Sequence, residues 1–132
     1  MTSIKLPYGK EQVTLEVPNE RLKAVLVSEL HHYTPEGSQV DLVRKAMENP
    51  VGSDRLCEMA KGKNKVVIIA SDHTRPVPSK VIIPLMLKEI RMGNPEADIT
   101  ILIATGCHRE TSKKELVEKF GEDIAANEKI HI

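Results

Sequence analysis

Two short polar clusters carry side chains able to do acid–base and anion chemistry: Asp72, His73, Thr74 and Arg75 in "SDHTRPVPS", and Thr105, His108 and Arg109 in "TGCHRET". A guanidinium can grip a small carboxylate through two parallel hydrogen bonds, so Arg75 is the candidate anchor for an acid. An imidazole titrates near neutrality, so His108 is the candidate to take a proton from a substrate hydroxyl and return it within one cycle. Asp72 is of a type able to orient an imidazole and stabilise its charged form. Pro76 and Pro78 forbid helix directly after the first cluster and keep Arg75 and its neighbours extended. Gly106 permits the sharp turn that would bring His108 back toward a strand end.

Taken singly, each of these residues has a structural explanation: Asp72 as a turn cap, Arg109 as a solvated charge. It is their pairing at equivalent places in the chain that raises the functional reading above that background. Cys107 beside His108 is expected to be a buried neutral thiol rather than half of a dyad, because adjacent side chains diverge. His31 and His32 have no partner at metal-ligand spacing and are read as surface residues; His131 receives no role. A metal hydrolase built on Asp72, His73 and His108 is disfavoured for the same lack of ligand spacing.

The elements that must position the two clusters follow from periodicity. "IKLPYGKEQVTLEV" alternates apolar and polar residues about a Tyr-Gly-Lys turn and predicts a β-hairpin. "LKAVLV" (22–27) predicts a further short strand, followed by a polar loop over 31–38. Val40, Val43 and Met47 form one helical stripe over 39–48, ended by Asn49 and Pro50. A second helix is expected from an N-cap at Ser53, with Leu56, Met59 and Ala60 as its stripe and Gly62 as its left-handed stop.

From Lys65 the period changes. "KVVIIA" (65–70) and "DITILIA" (98–104) are unbroken runs rich in β-branched residues, the pattern of parallel strands covered on both faces. Between them a helix is expected from Ser79 to Gly93, with Pro84 early in it or at a kink. Ser112 and Glu115 form a capping box for a helix over 113–120, stopped by Gly121, and "EKIHI" begins another strand. Strand, helix, strand, helix, strand gives an α/β fold: a Rossmann-like parallel sheet flanked by helices, with an N-terminal β-hairpin. The expected organisation is one N-terminal α/β domain over 1–132, its hairpin and strand in 1–30 and its α/β core in 39–132. In such sheets ligands bind beyond the carboxyl ends of the strands, where both polar clusters fall. Asp72, His73, Thr74, Arg75, Thr105, His108 and Arg109 are therefore expected to rim one cleft. Since the chain stops at Ile132 within an apolar strand, we expect it to be a piece of a longer protein.

Composition removes other classes. Lys plus Arg and Asp plus Glu are 19 each, so no net field draws nucleic acid or an anionic membrane, and the only aromatics are Tyr8, Tyr33 and Phe120. Cys57 and Cys107 lie far apart without CxxC spacing, which argues against disulfides and structural zinc. No signal segment or membrane-length apolar run is present, and a cytoplasmic location is expected. No GxGxxG or GxxxxGK[ST] follows any strand, so the dinucleotide and P-loop signatures are missing.

"SDHTRPVPS" followed about thirty residues later by "TGCHRET" resembles the N-terminal domain of the nickel-dependent lactate racemase family, which includes other 2-hydroxyacid racemases and epimerases. The resemblance extends to the opening hairpin. It implies an isomerase that exchanges the configuration at C2 by hydride abstraction and return on a nickel-pincer nucleotide, through a transient 2-keto acid. It also implies roles: His108 as one of two imidazoles handling the 2-hydroxyl proton, and Arg75 and Asp72 as substrate-binding residues, the first as carboxylate anchor and the second as hydrogen-bonding support. His73, Thr74 and Arg109 match motif positions without an assigned role. The cofactor's attachment Lys, its nickel-ligating His and the second catalytic His would lie beyond this chain, which alone is expected to be inactive. Expected partners are a small 2-hydroxyacid and cofactor-maturation proteins. The alternative reading is a non-catalytic α/β module in which the same loops bind a small carboxylate or phosphate.

Overall fold

Seven consecutive parallel pairings, from Lys65 with Asp98 to Ser71 with Ala104, set the frame of the structure, a computed structural model describing residues 1–132. The paired strands are β3 (Lys65–Ser71) and β4 (Asp98–Ala104), and β5 (Lys129–His131) joins β4 in parallel on its other side. Parallel neighbours need a crossover, supplied by helix α3 (Ser79–Gly93) for the first pair and by α4 (Lys113–Phe120) and α5 (Glu122–Asn127) for the second. Before them come α1 (Gln39–Glu48) and α2 (Leu56–Ala60). These elements form one compact unit, Glu36–Ile132.

The core follows the strand period of two. Ile68 and Ala70 of β3 and Ile99, Ile101 and Ile103 of β4 point to one face and are buried with Ile83, Leu87 and Ile90 of α3, Phe120 of α4 and Ile124 of α5. Pro84 is accommodated inside α3, one turn from its start. The expectation that both faces of β3 are covered is corrected by the structure: the alternate side chains Val67 and Ile69 are 59% and 72% exposed. An unbroken β-branched run records that a strand is suited to cover on each side, but not whether these 132 residues provide it.

Helices α1 and α4 start as their sequences require. Ser38 and Asp41, and Ser112 and Glu115, close full capping boxes. Helix α2 departs from expectation: it begins at Leu56, and Arg55, not Ser53, occupies the N-cap position without a side-chain cap. Tertiary contacts hold the helix in place instead. Arg55 pairs with Glu89 of α3 at 2.5 Å, and the Cys57 carbonyl packs directly onto Gly93.

The remaining residues, Met1–Pro35, form a second compact unit. Strands β1 (Thr2–Tyr8) and β2 (Glu11–Val17) pair antiparallel about Gly9, whose φ of 61° is the left-handed value that turn requires. The strand expected over 22–27 is absent, and residues 23–27 run irregular and exposed. Strand propensity needs a partner edge to be realised, and the hairpin strands pair only with each other. His31 and His32 lie in an exposed 3₁₀ turn, Glu29–His32. No helix of the chain is long and apolar enough to cross a membrane.

Candidate functional site

Because Ser71 pairs with Ala104, β3 and β4 end level, and the loops that follow leave side by side. This register converts two clusters more than thirty residues apart into neighbours. In the second loop the His108 amide donates to the Thr105 carbonyl at 3.0 Å, a tight turn across Gly106, whose φ is 59°. A Cβ at Gly106 would meet nothing within 4 Å, so the glycine is required for its backbone conformation and not for space.

The turn delivers His108 to Asp72, with Nδ1 at 2.5 Å from Oδ2. Asp72 is 1% exposed. Its other oxygen, Oδ1, accepts from the Thr74 hydroxyl at 2.7 Å and the Thr74 amide at 3.1 Å, an Asx turn that holds the carboxylate in place. The Thr74 hydroxyl, together with the His108 ring and the Thr74 amide, holds the Asp72 carboxyl well below the usual carboxylate range, although burial opposes them. An ionised carboxylate only accepts hydrogen bonds, so the proton of neutral His108 resides on Nδ1. That assigns the lone pair to Nε2, and the side chain, 38% exposed, can offer it to a ligand.

A second network lies beside the first. His73 Nδ1 meets the hydroxyl of buried Thr111 at 3.0 Å, and its Nε2 is 3.9 Å from Glu115 Oε1. Glu115 is also gripped by both terminal nitrogens of Arg109, at 2.9 and 2.6 Å, while accepting from the amide and hydroxyl of Ser112. The Arg109 fork, then the Ser112 amide, lower the Glu115 carboxyl well below its ordinary value, and the Arg109 guanidinium is pushed up in turn. Arg109 is thus occupied by the cap of α4.

Arg75 is different. Its guanidinium has no hydrogen-bonding or ion-pair partner within the chain, and it lines a groove of about 530 Å³ together with His73, Val77, Ser79, Lys80 and Lys119. Within the rim expected from sequence, Asp72, Thr74 and His108 meet in one cluster, Arg109 and His73 converge on Glu115, and Arg75 lines a groove with His73. Thr105 contributes backbone to the turn.

Sequence reasoning passed over three residues. Glu115 was legible only as a helix cap, Thr111 only as the end of a motif, and Lys119 gave no signal at all. Cys107 is corrected: it is exposed, since the turn that brings His108 inward leaves its neighbour facing out. No three His, Cys, Asp or Glu side chains converge to hold a metal ion.

Comparison with known proteins adds to this geometry. A family model described as the lactate racemase N-terminal domain matches residues 8–132. The chain is 48% identical over 128 residues to a lactate racemase of Thermoanaerobacterium thermosaccharolyticum, covering 97% of this chain and 30% of the relative. It is 48% identical over 130 residues to a lactate racemase of Lactiplantibacillus plantarum, covering 98% and 31%. The solved lactate racemase apoprotein from T. thermosaccharolyticum superposes with a TM-score of 0.84 at 46% identity, over 98% of this chain and 29% of that one. The chain thus spans about three-tenths of the length of the curated relatives it matches.

Proposed function

The chain belongs to the lactate racemase N-terminal domain family, and from that premise we propose that it is the part of a 2-hydroxyacid racemase that anchors the substrate and moves its hydroxyl proton. The observation carrying this reading is the Asp72–His108 couple at adjacent strand ends, one buried anion against one accessible imidazole.

In this reading the unpaired Arg75 fork takes the substrate carboxylate through two N–H donors, fixing orientation as well as position. His108 Nε2 then accepts the 2-hydroxyl proton as C2–O becomes a carbonyl, and returns it when the alcohol re-forms. Asp72 keeps Nδ1 protonated throughout and stabilises the imidazolium that results. The partner imidazole expected on the opposite face belongs to the remainder of such a protein.

The hydride chemistry at C2 is assigned to a nickel-pincer nucleotide. No three His, Cys, Asp or Glu side chains converge in this chain, so it offers no site that would hold a bare nickel ion by itself. On this reading the attachment Lys and the nickel-ligating His that the resemblance implies belong to the remainder of such a protein, and the work of this chain is substrate binding and proton transfer. On the same reading the intact protein works in the cytoplasm, receives its cofactor through maturation proteins and takes lactate or a related 2-hydroxyacid.

The test is a chiral assay of the intact, cofactor-loaded protein carrying His108→Ala. Turnover should fall by about 10²-fold or more, the usual weight of a positioned acid–base group, with substrate binding retained. Turnover above a third of wild type would return the chain to the non-catalytic binding reading.

A further inference from the structure

The loop that presents Arg75 holds itself together almost without backbone hydrogen bonds to the rest of the fold. Pro76 and Pro78 have no N–H to donate. The Val77 amide donates to the Arg75 carbonyl at 2.9 Å and the Ser79 amide to the Val77 carbonyl at 2.8 Å, each across a proline. These are two successive three-residue turns, and Pro78, at φ −75° and ψ 60°, has the backbone angles of one. Such a segment is stiff internally, but nothing in it sets where it sits.

One contact beyond the loop does. Lys119, on α4 and 44 residues away, donates from Nζ to the Arg75 carbonyl at 3.0 Å. It is the only hydrogen bond linking residues 75–77 to any element outside the loop and the start of α3. Helix α4 is itself fixed by the Ser112–Glu115 box and anchored through buried Phe120, so the ammonium is held from a rigid base. Lys119 is half-buried, and burial lowers its pKa while the nearby Asp72 carboxylate opposes that shift. The side chain also lines the same groove as the Arg75 guanidinium.

We propose that Lys119 is a positioning residue for substrate binding: its ammonium pins the Arg75 carbonyl so that the guanidinium is held ready for the substrate carboxylate. The inference rests on the assignment of Arg75 as the anchor. It gives α4 a second role beside carrying Glu115, and it accounts for a lysine whose charge is spent on a backbone oxygen.

The experiment uses the intact, cofactor-loaded protein with Lys119→Met, Lys119→Arg, Arg75→Ala and the double variant Arg75→Ala/Lys119→Met. Lys119→Met should raise KM for the 2-hydroxyacid by about five- to tenfold, the scale of one lost hydrogen bond of ordinary strength, and change kcat less than twofold. The pH profile of kcat should be unmoved, because Lys119 hydrogen-bonds the Arg75 carbonyl and not the proton-transferring imidazole. Lys119→Arg keeps a donor and should recover most of the wild-type KM. In the double variant KM should equal that of Arg75→Ala alone, since Lys119 acts through Arg75. A KM within twofold of wild type for Lys119→Met, or additive effects in the double variant, would overturn the proposal. If Lys119→Met does not fold by circular dichroism, Lys119→Leu, which also lacks a donor, takes its place under the same criteria. An unchanged KM for Arg75→Ala would instead remove the anchor assignment itself, a distinct failure.

Discussion

Replacing Asp72 by Asn separates the positioning of His108 from the mere presence of a base. The variant side chain has nearly the same shape, and its amide oxygen can keep both Thr74 contacts now made by Oδ1. The atom then facing His108 Nδ1 is an NH₂ group, a donor, where the native Oδ2 lies at 2.5 Å. Nδ1 must therefore become the acceptor, the ring proton moves to Nε2, and the lone pair proposed to take the substrate proton is lost. A change of this kind beside a fully enclosed catalytic imidazole costs about 10⁴-fold in kcat. In this protein the His108 side chain is 38% exposed, so water can compete with the amide for Nδ1. The loss should be smaller, about 10²- to 10³-fold, with KM within threefold of wild type because Arg75 is untouched. The assay is initial-rate chiral chromatography on the intact protein, starting from each enantiomer. Two enantiomers are equal in free energy, so kcat/KM must fall by one common factor in both directions. A kcat within threefold of wild type, or a loss confined to KM, would refute the role given to the Asp72–His108 contact.

Two further outcomes concern stability. Asp72 and Glu115 both titrate below their unfolded values, so their contribution is fully present above about pH 4–4.5 and disappears as pH falls through their native values. Urea unfolding midpoints should accordingly be flat from neutrality to about pH 5 and drop below about pH 4, with a shallower drop for Glu115→Gln; an equal slope in that variant would contradict the assignment. Gly93→Ala should destabilise the chain even though alanine favours helix by about 1 kcal/mol. The added Cβ would stand 1.9 Å from the Cys57 carbonyl oxygen, and overpacking of this sort costs about 1–3 kcal/mol or more. A melting temperature several degrees lower is expected, and an unchanged or higher one would show that α2 yields freely.

How far the chain could be read from its residues depended on the range of each signal. The hairpin, α1, α3, α4 and strands β3 and β4 follow from patterns confined to ten or fifteen residues, and the structure has them where those patterns lie. Two of the failures, the strand over 22–27 and the Ser53 cap, share a cause. Each depended on a partner that local sequence does not encode: a neighbouring edge for the first, and the Glu89 and Gly93 contacts of α3 for the second. Residue types likewise marked Asp72, Arg75 and His108 as capable of chemistry before any geometry was known.

What chemistry each residue is free to perform was decided by the fold. The level ending of β3 and β4 puts Asp72 against His108, while the Glu115 cap draws in Arg109 and leaves Arg75 unpaired in its groove. Lys119 gained its meaning only when α4 came to lie beside a loop 44 positions earlier. Periodicity and turn preferences act over a few residues and so are written in order along the chain. Pairings among side chains depend on strand register and helix packing, which arise only when distant segments bury their apolar faces together.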